Sequence, residues 1–370
     1  MWVYLLLGAG LFMGWSLGTN DAANAFGTAV STGVVKYRTA VIIIALLVLV
    51  GAVTLGPGNI SEMFDLGINN EVSFSTDDTV GMAQNTIILQ AALKGAIVFL
   101  AAALTVFLMS TLKMPVSANQ AVIGAVIGWG ICYADKSAWT LFADGALVKD
   151  SNTWQLIKFA STWLMSPLGA GIISFILIWF ANKFIVPKVS GLAAYDKIVK
   201  LGYLIAGGFA SFSIGMNSSA SVMAFYYDGT PDGVVTNLFS ADSLTGDFWT
   251  AARVAAVVGG LAIAVGVLTY SKKVMMTVGS SIAPLTQIEG FIVIIAMSLT
   301  IVLIGNIMHI PVSTSQAVVG AVVGAGLTKG AKCVNFGVFK NIGIAWVSSP
   351  VCAGLITFLV GLATKGYFGA

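Results

Sequence analysis

Long apolar runs separated by short polar breaks dominate the 370-residue chain. The runs fall at about 1–33, 39–56, 85–112, 115–131, 154–187, 201–225, 250–270, 278–307, 311–328 and 343–365. Crossing roughly 30 Å of hydrocarbon takes about 20 helical residues, and most of these runs reach that length. The runs at 1–33 and 154–187 are long enough to contain a break. Backbone in lipid must satisfy its own hydrogen bonds, so the runs predict helices. The short alternating segments of a membrane β-barrel do not occur. The pattern therefore predicts an all-α integral membrane protein.

The polar breaks sort by charge. Lys36 and Arg38 follow the first run, Lys183, Lys188, Lys197 and Lys200 cluster at mid-chain, Lys272 and Lys273 follow 250–270, and Lys329, Lys332 and Lys340 fall in a later loop. The 57–84 segment instead carries Glu62, Asp65, Glu71, Asp77 and Asp78, and the 226–248 segment carries Asp228, Asp232, Asp242 and Asp247, with no Lys or Arg in either. Basic segments belong in the cytoplasm. Counting the runs as successive crossings puts every basic cluster on one side, with both termini on the outer side of a plasma membrane.

The chain also repeats itself. Pro115-Val-Ser-Ala-Asn-Gln-Ala-Val-Ile-Gly124 returns as Pro311-Val-Ser-Thr-Ser-Gln-Ala-Val-Val-Gly320, 196 residues later. Gly18-Thr-Asn20 returns as Gly215-Met-Asn217 at an offset of 197, and Trp163 to Gly171 returns as Trp346 to Gly354 at 183. One copy begins outside and the other inside, which predicts two inverted-topology repeats, 1–190 and 201–370, joined by a cytoplasmic linker at 191–200. Secondary transporters of this layout place substrate and ions near the midplane, on discontinuous helices.

The Pro-Val-Ser motifs hold the first candidate chemistry. Pro suits a first helical turn, and Ser is a good N-cap. Helices starting at Ser117 and Ser313 would present free backbone N–H groups, which bind anions without a basic side chain. Ser117, Ala118, Asn119, Ser313, Thr314 and Ser315 would form the cradle. Gln120 and Gln316 complete the caps or turn toward an ion. The helices that follow are short for a full crossing, which favours paired re-entrant hairpins over two full spans. Gly124/Gly128 and Gly320/Gly324 allow close helix contact.

Gly18-Thr-Asn-Asp-Ala-Ala-Asn24 is rich in poor helix formers within an apolar run. It predicts an unwound point, with the carboxylate of Asp21 as an intramembrane cation ligand and Asn20 and Asn24 beside it. Oxygen ligands suit a hard cation such as sodium. Asn217, Ser218 and Ser219 stand at the equivalent bend, with no carboxylate. Glu289 is either a further cation ligand, a proton acceptor or a solvated group at the membrane edge. Lys113 and His309 are repeat equivalents, each two residues before its Pro.

Composition adds exclusions. Hydrophobic residues make up 58% of the chain and charged residues 9%, too little charge for a soluble surface of this size. The first run lacks the basic start of a signal peptide, so it is read as a retained span. A net charge of +3 gives no case for nucleic acid. Cys132, Cys333 and Cys352 lack metal-ligand spacing, and a lone histidine gives no histidine-based metal site. No nucleophile–base constellation suggests an enzyme, and no organic cofactor motif appears.

Taken together, Gly18-Thr-Asn-Asp-Ala-Ala-Asn-Ala25 and the two Pro-Val-Ser-x-x-Gln-Ala-x-x-Gly motifs resemble the inorganic phosphate transporter family, over essentially the whole chain. The resemblance implies sodium- or proton-coupled phosphate uptake through an inverted-repeat fold. It implies phosphate at Ser117, Ala118, Asn119, Ser313, Thr314 and Ser315. It implies sodium at Asn20, Asp21, Asn24, Gln120, Asn217, Ser218, Gln316 and, less directly, Glu289. The expected partners are inorganic phosphate, sodium and the lipid bilayer; a homo-oligomer is compatible with the reading. The family's second Gly-x-Asn usually continues with Asp, where this chain has Ser218. That departure leaves the number of coupled cations open, and keeps a proton-coupled phosphate or sulfate permease of the same fold as the alternative. An anion channel would use the same helix ends without coupling.

Overall fold

The computed structural model describes residues 2–63, 84–112, 116–133, 152–223, 251–272, 275, 283–308 and 312–368. Pro115, Pro311, Lys113, His309 and most of the two acidic segments lie outside the described residues. Among the described residues are ten α-helices: α1 (Trp2–Ser31), α2 (Tyr37–Met63), α3 (Gln84–Thr111), α4 (Ala118–Tyr133), α5 (Asn152–Phe180), α6 (Leu192–Met223), α7 (Ala251–Tyr270), α8 (Gln287–Met308), α9 (Thr314–Leu327) and α10 (Phe336–Phe368). Single π and 3-10 turns extend α5 through Lys188. Residues 192–200 of the expected linker form the opening turns of α6.

Seven stretches among the described residues are long and apolar enough to cross a membrane: Tyr37–Gly58, Leu93–Thr111, Ala160–Lys188, Leu192–Met223, Ala252–Tyr270, Gln287–Gly305 and Phe336–Gly366. Large apolar side chains point outward along these helices, including Leu46, Leu164, Ile205, Val347 and Leu359, each more than half exposed. Burying that surface in water would require a partner; hydrocarbon accepts it directly. α4 and α9 are 16 and 14 residues long. At 1.5 Å per residue they reach only about 24 and 21 Å, short of a bilayer core.

The helix pairs follow a rule that the chain order does not suggest. Glycines let backbones touch, and these seams join the first half of the chain to the second. A Cβ on Gly18 of α1 would strike the Ile263 carbonyl of α7, and one on Gly215 of α6 would strike the Val48 carbonyl of α2. Gly266 of α7 sits likewise on Trp15, and Gly51 of α2 on Phe212. Gly124 of α4 rests on the Pro350 carbonyl of α10, and Gly320 of α9 on the Pro167 carbonyl of α5. Each of these contacts thus occurs twice, once for each copy of the repeat. Without a hydrophobic force between helices in lipid, close van der Waals seams of this kind hold them together. The two halves are interleaved rather than set side by side.

One expectation fails. The chain does not unwind at Gly18–Asn24 or at Gly215–Ser219; α1 and α6 run through both segments as continuous helix. The polar side chains there find partners on neighbouring helices, and the glycines are used for close crossing, so the backbone ladder has no reason to open. The breaks fall instead between α3 and α4 and between α8 and α9, at the two hairpin tips. α1 ends at Gly33, whose φ of +74° few other residues adopt without strain.

Candidate functional site

The two short helices begin where their caps place them. The Ser117 hydroxyl accepts from the Gln120 backbone N–H at 3.4 Å, and the Ser313 hydroxyl from that of Gln316 at 3.3 Å. Both tips are buried and bonded to each other. Ser315 Oγ donates to the Val116 carbonyl at 2.9 Å, and Asn119 Nδ2 donates to the Val312 carbonyl at 3.3 Å. Ser117, Ala118, Asn119, Ser313, Thr314 and Ser315 therefore come together as the motif spacing implies. Ser117, Asn119, Ser313, Thr314 and Ser315 are each at most 5% exposed.

α1 brings Asp21 against the second tip. Its Oδ1 accepts from Thr314 Oγ1 at 3.1 Å and from Asn24 Nδ2 at 3.2 Å, and its Oδ2 accepts from Ser218 Oγ on α6 at 3.3 Å. Asn24 Nδ2 also faces the hydroxyls of Thr314 and Ser315 at 3.4 Å. This carboxylate is 5% exposed and met by three neutral donors, and no cationic side chain among the described residues pairs with it. Removing such a charge from water costs several kcal/mol.

The remaining cation candidates separate into three places. Asn217 clamps the second tip: its Nδ2 donates to the Val312 carbonyl at 2.7 Å and its Oδ1 accepts from the Val312 N–H at 2.6 Å. Asn20 turns to α3, donating to Ser110 Oγ at 2.8 Å. Gln120 and Gln316 lie behind the tips. They line a cavity of about 750 Å³ with Trp163, Pro167, Trp346 and Pro350. Gln316 Oε1 accepts from Ser166 Oγ at 3.4 Å, whereas the buried Gln120 Oε1 has no hydrogen-bond partner among the described residues.

Glu289 does not belong with them. It sits in the first turn of α8. Nineteen residues of helix, about 28 Å at 1.5 Å each, separate it from Met308 at the tip end. There Glu289 closes a capping box: its Oε2 accepts from the Thr286 N–H at 2.7 Å, and its own N–H donates to Thr286 Oγ1 at 3.3 Å. Lys329, at the end of α9, completes an ion pair with it at 2.6 Å. Its carboxylate is thus occupied in capping a helix and tying the base of the hairpin.

Three polar residues join the site without having been singled out from the sequence. Ser221 donates to Asn119 Oδ1; it is the repeat equivalent of Asn24, which could have pointed to it. Ser166 lies in the repeated Trp-x-x-Ser-Pro segment. Ser110 carried no sequence signal.

A multi-pass membrane protein with a polar centre enclosed by two facing hairpin tips is the class that this fold and site define. The phosphate transporter family model matches residues 17–357, and the chain belongs to that family. That makes it a transporter and not an enzyme. A Pyrococcus abyssi protein provisionally named a phosphate permease is 27% identical, the match covering 97% of each chain. The chloroplastic inorganic phosphate transporter 2-1 of Arabidopsis thaliana is 24% identical, over 98% of this chain and 72% of that protein. A solved structure of a protein named "The sodium-dependent phosphate transporter" shares the fold with a TM-score of 0.74, at 22% identity over 98% of this chain and 99% of the other.

Proposed function

We propose that this chain is a sodium-coupled symporter that carries inorganic phosphate into the cell by alternating access. The observation that carries the proposal is the hydrogen bond from Thr314 to Asp21. Thr314 belongs both to the anion-binding tip and to the carboxylate's contacts, so the two candidate sites share a residue. An anion at the tip would sit roughly 5 Å from the carboxylate. At an effective dielectric of about 20, each negative charge on it is then repelled by about 3 kcal/mol. A sodium ion on Asp21 cancels that repulsion. Phosphate binds well only once the cation is present, which is the condition for coupling. The sodium dependence named for the solved neighbour supports the choice of ion.

Phosphate lies on the hydroxyls and helix N-termini of Ser117–Asn119 and Ser313–Ser315. Sodium lies on Asp21, with Asn24 and Ser218 beside it; the free Gln120 carbonyl oxygen is a second candidate ligand. Residues 1–190 and 201–370 form inverted halves, and bundles that draw helices from both move against each other about this centre. Both termini lie outside the plasma membrane. Carrying each negative charge inward against an inside-negative potential costs about 2.3 kcal/mol per 100 mV, so a dianion needs more than two sodium ions for the potential to help.

The test is uptake of labelled phosphate into proteoliposomes under a sodium gradient, a proton gradient or neither. The expected result is accumulation with sodium only. Equal uptake under a proton gradient alone rejects sodium coupling, and equal competition by sulfate rejects phosphate selectivity.

A further inference from the structure

Asp21 and Ser218 occupy equivalent positions in the two repeats, 197 residues apart, and they touch. Ser218 Oγ donates to Asp21 Oδ2 at 3.3 Å. The surrounding contacts obey the same correspondence. Asn24 faces Ser315 in one half, and the equivalent Ser221 faces the equivalent Asn119 in the other. The pseudo-symmetry axis therefore passes between Asp21 and Ser218. On one side of it stand a carboxylate and the Thr314 hydroxyl that bonds it. On the other, the matching positions hold Ser218 and Ala118, one without charge and the other without any side-chain oxygen. The centre carries a single carboxylate where two symmetric copies would carry two.

Resting on the sodium-coupled function proposed for this site, we infer that this chain holds one carboxylate-bound cation per transport cycle, on the Asp21 side, and that Ser218 sets this number. Two carboxylates within hydrogen-bond reach of each other cannot both remain charged without a cation between them. Aspartate at position 218 therefore adds one cation to the cycle. Serine there removes one, and lowers the positive charge carried per phosphate by one. Ala118 agrees with this assignment, because a hydroxyl at that position would have no carboxylate to serve.

The decisive measurement is the steady-state accumulation of phosphate in proteoliposomes at zero potential, compared between wild type and Ser218→Asp. With a sodium gradient of about tenfold, each additional coupled sodium multiplies the accumulation ratio by about ten. Ser218→Asp is expected to raise the ratio about tenfold. An unchanged ratio in Ser218→Asp, with uptake still sodium-driven, overturns this inference and leaves the proposed function standing. Absence of sodium-driven uptake in the wild type overturns both. If Ser218→Asp fails to reach the membrane, labelled sodium bound to purified protein decides instead. Asp21→Asn should bind one ion fewer than wild type, and an equal number in the two overturns the inference.

Discussion

The Asp21→Asn substitution tests most directly why the centre of this protein holds a charge at all. Asparagine preserves shape and one acceptor oxygen, and the hydroxyls of Thr314 and Ser218 can rotate to meet its amide. What disappears is the negative charge. A sodium ion about 4 Å from that charge, at an effective dielectric near 20, is held by about 4 kcal/mol. Part of that is retained by the remaining oxygens, leaving a loss of roughly 2–4 kcal/mol, or about 30- to 1000-fold in the half-saturating sodium concentration. The assay is initial phosphate uptake against external sodium at fixed potential. Thermal unfolding in detergent without sodium serves as the control, and there Asp21→Asn should equal or exceed the wild type, because an uncompensated buried charge has been removed. A half-saturating sodium concentration that moves by less than about threefold, in a variant that still transports, would show that Asp21 does not hold the coupled cation.

Four further substitutions probe the frame around this charge. Asn217→Ala leaves the buried Val312 N–H without its acceptor, while the Val312 carbonyl keeps the weaker bond from Asn119; at about 1–3 kcal/mol for the orphaned group, the melting temperature and the uptake rate should both fall, and an unchanged melting temperature would refute the clamp. Gly320→Ala and Gly124→Ala drive a methyl group into the carbonyls of Pro167 and Pro350, an overpacking worth about 1–3 kcal/mol; detergent melts should show similar losses for the two, and a loss at only one would contradict the repeated seams. Glu289→Gln breaks the pair with Lys329 and should lower the melting temperature while leaving the sodium dependence of uptake within about twofold of wild type, whereas a large sodium shift would return Glu289 to the cation site.

How far the sequence revealed this arrangement depends on the kind of signal each residue left. Ser117 and Ser313 were legible because an N-cap is a local matter, decided within four residues and stated twice. Asp21 was legible because a carboxylate in an apolar run is costly wherever it lands. The unwinding expected around it was not borne out, since Gly18 and Gly215 serve helix crossings that depend on Ile263 and Val48, far away in the chain. Glu289 is left open by the sequence between an ion ligand, a proton acceptor and a group at the membrane edge, because its span is apolar throughout; only the depth of the helix start and the approach of Lys329 assign it to the hairpin's base. Asn20 and Asn217, equivalent in the repeat, bond to different elements, Ser110 and Val312, so symmetry of sequence did not guarantee symmetry of contact.

The interleaving of the halves bears on how the protein is made. Gly18 is synthesised 245 residues before the Ile263 carbonyl it rests on, and Gly124 waits 226 residues for Pro350. A nascent chain that has delivered only its first five helices exposes Asp21, Asn24 and the first tip to the bilayer, without the second tip or α7 to cover them. Those helices must be shielded, by the insertion machinery or a chaperone, until the second half emerges. A chain truncated after α5 should accordingly be cleared as a misassembled fragment.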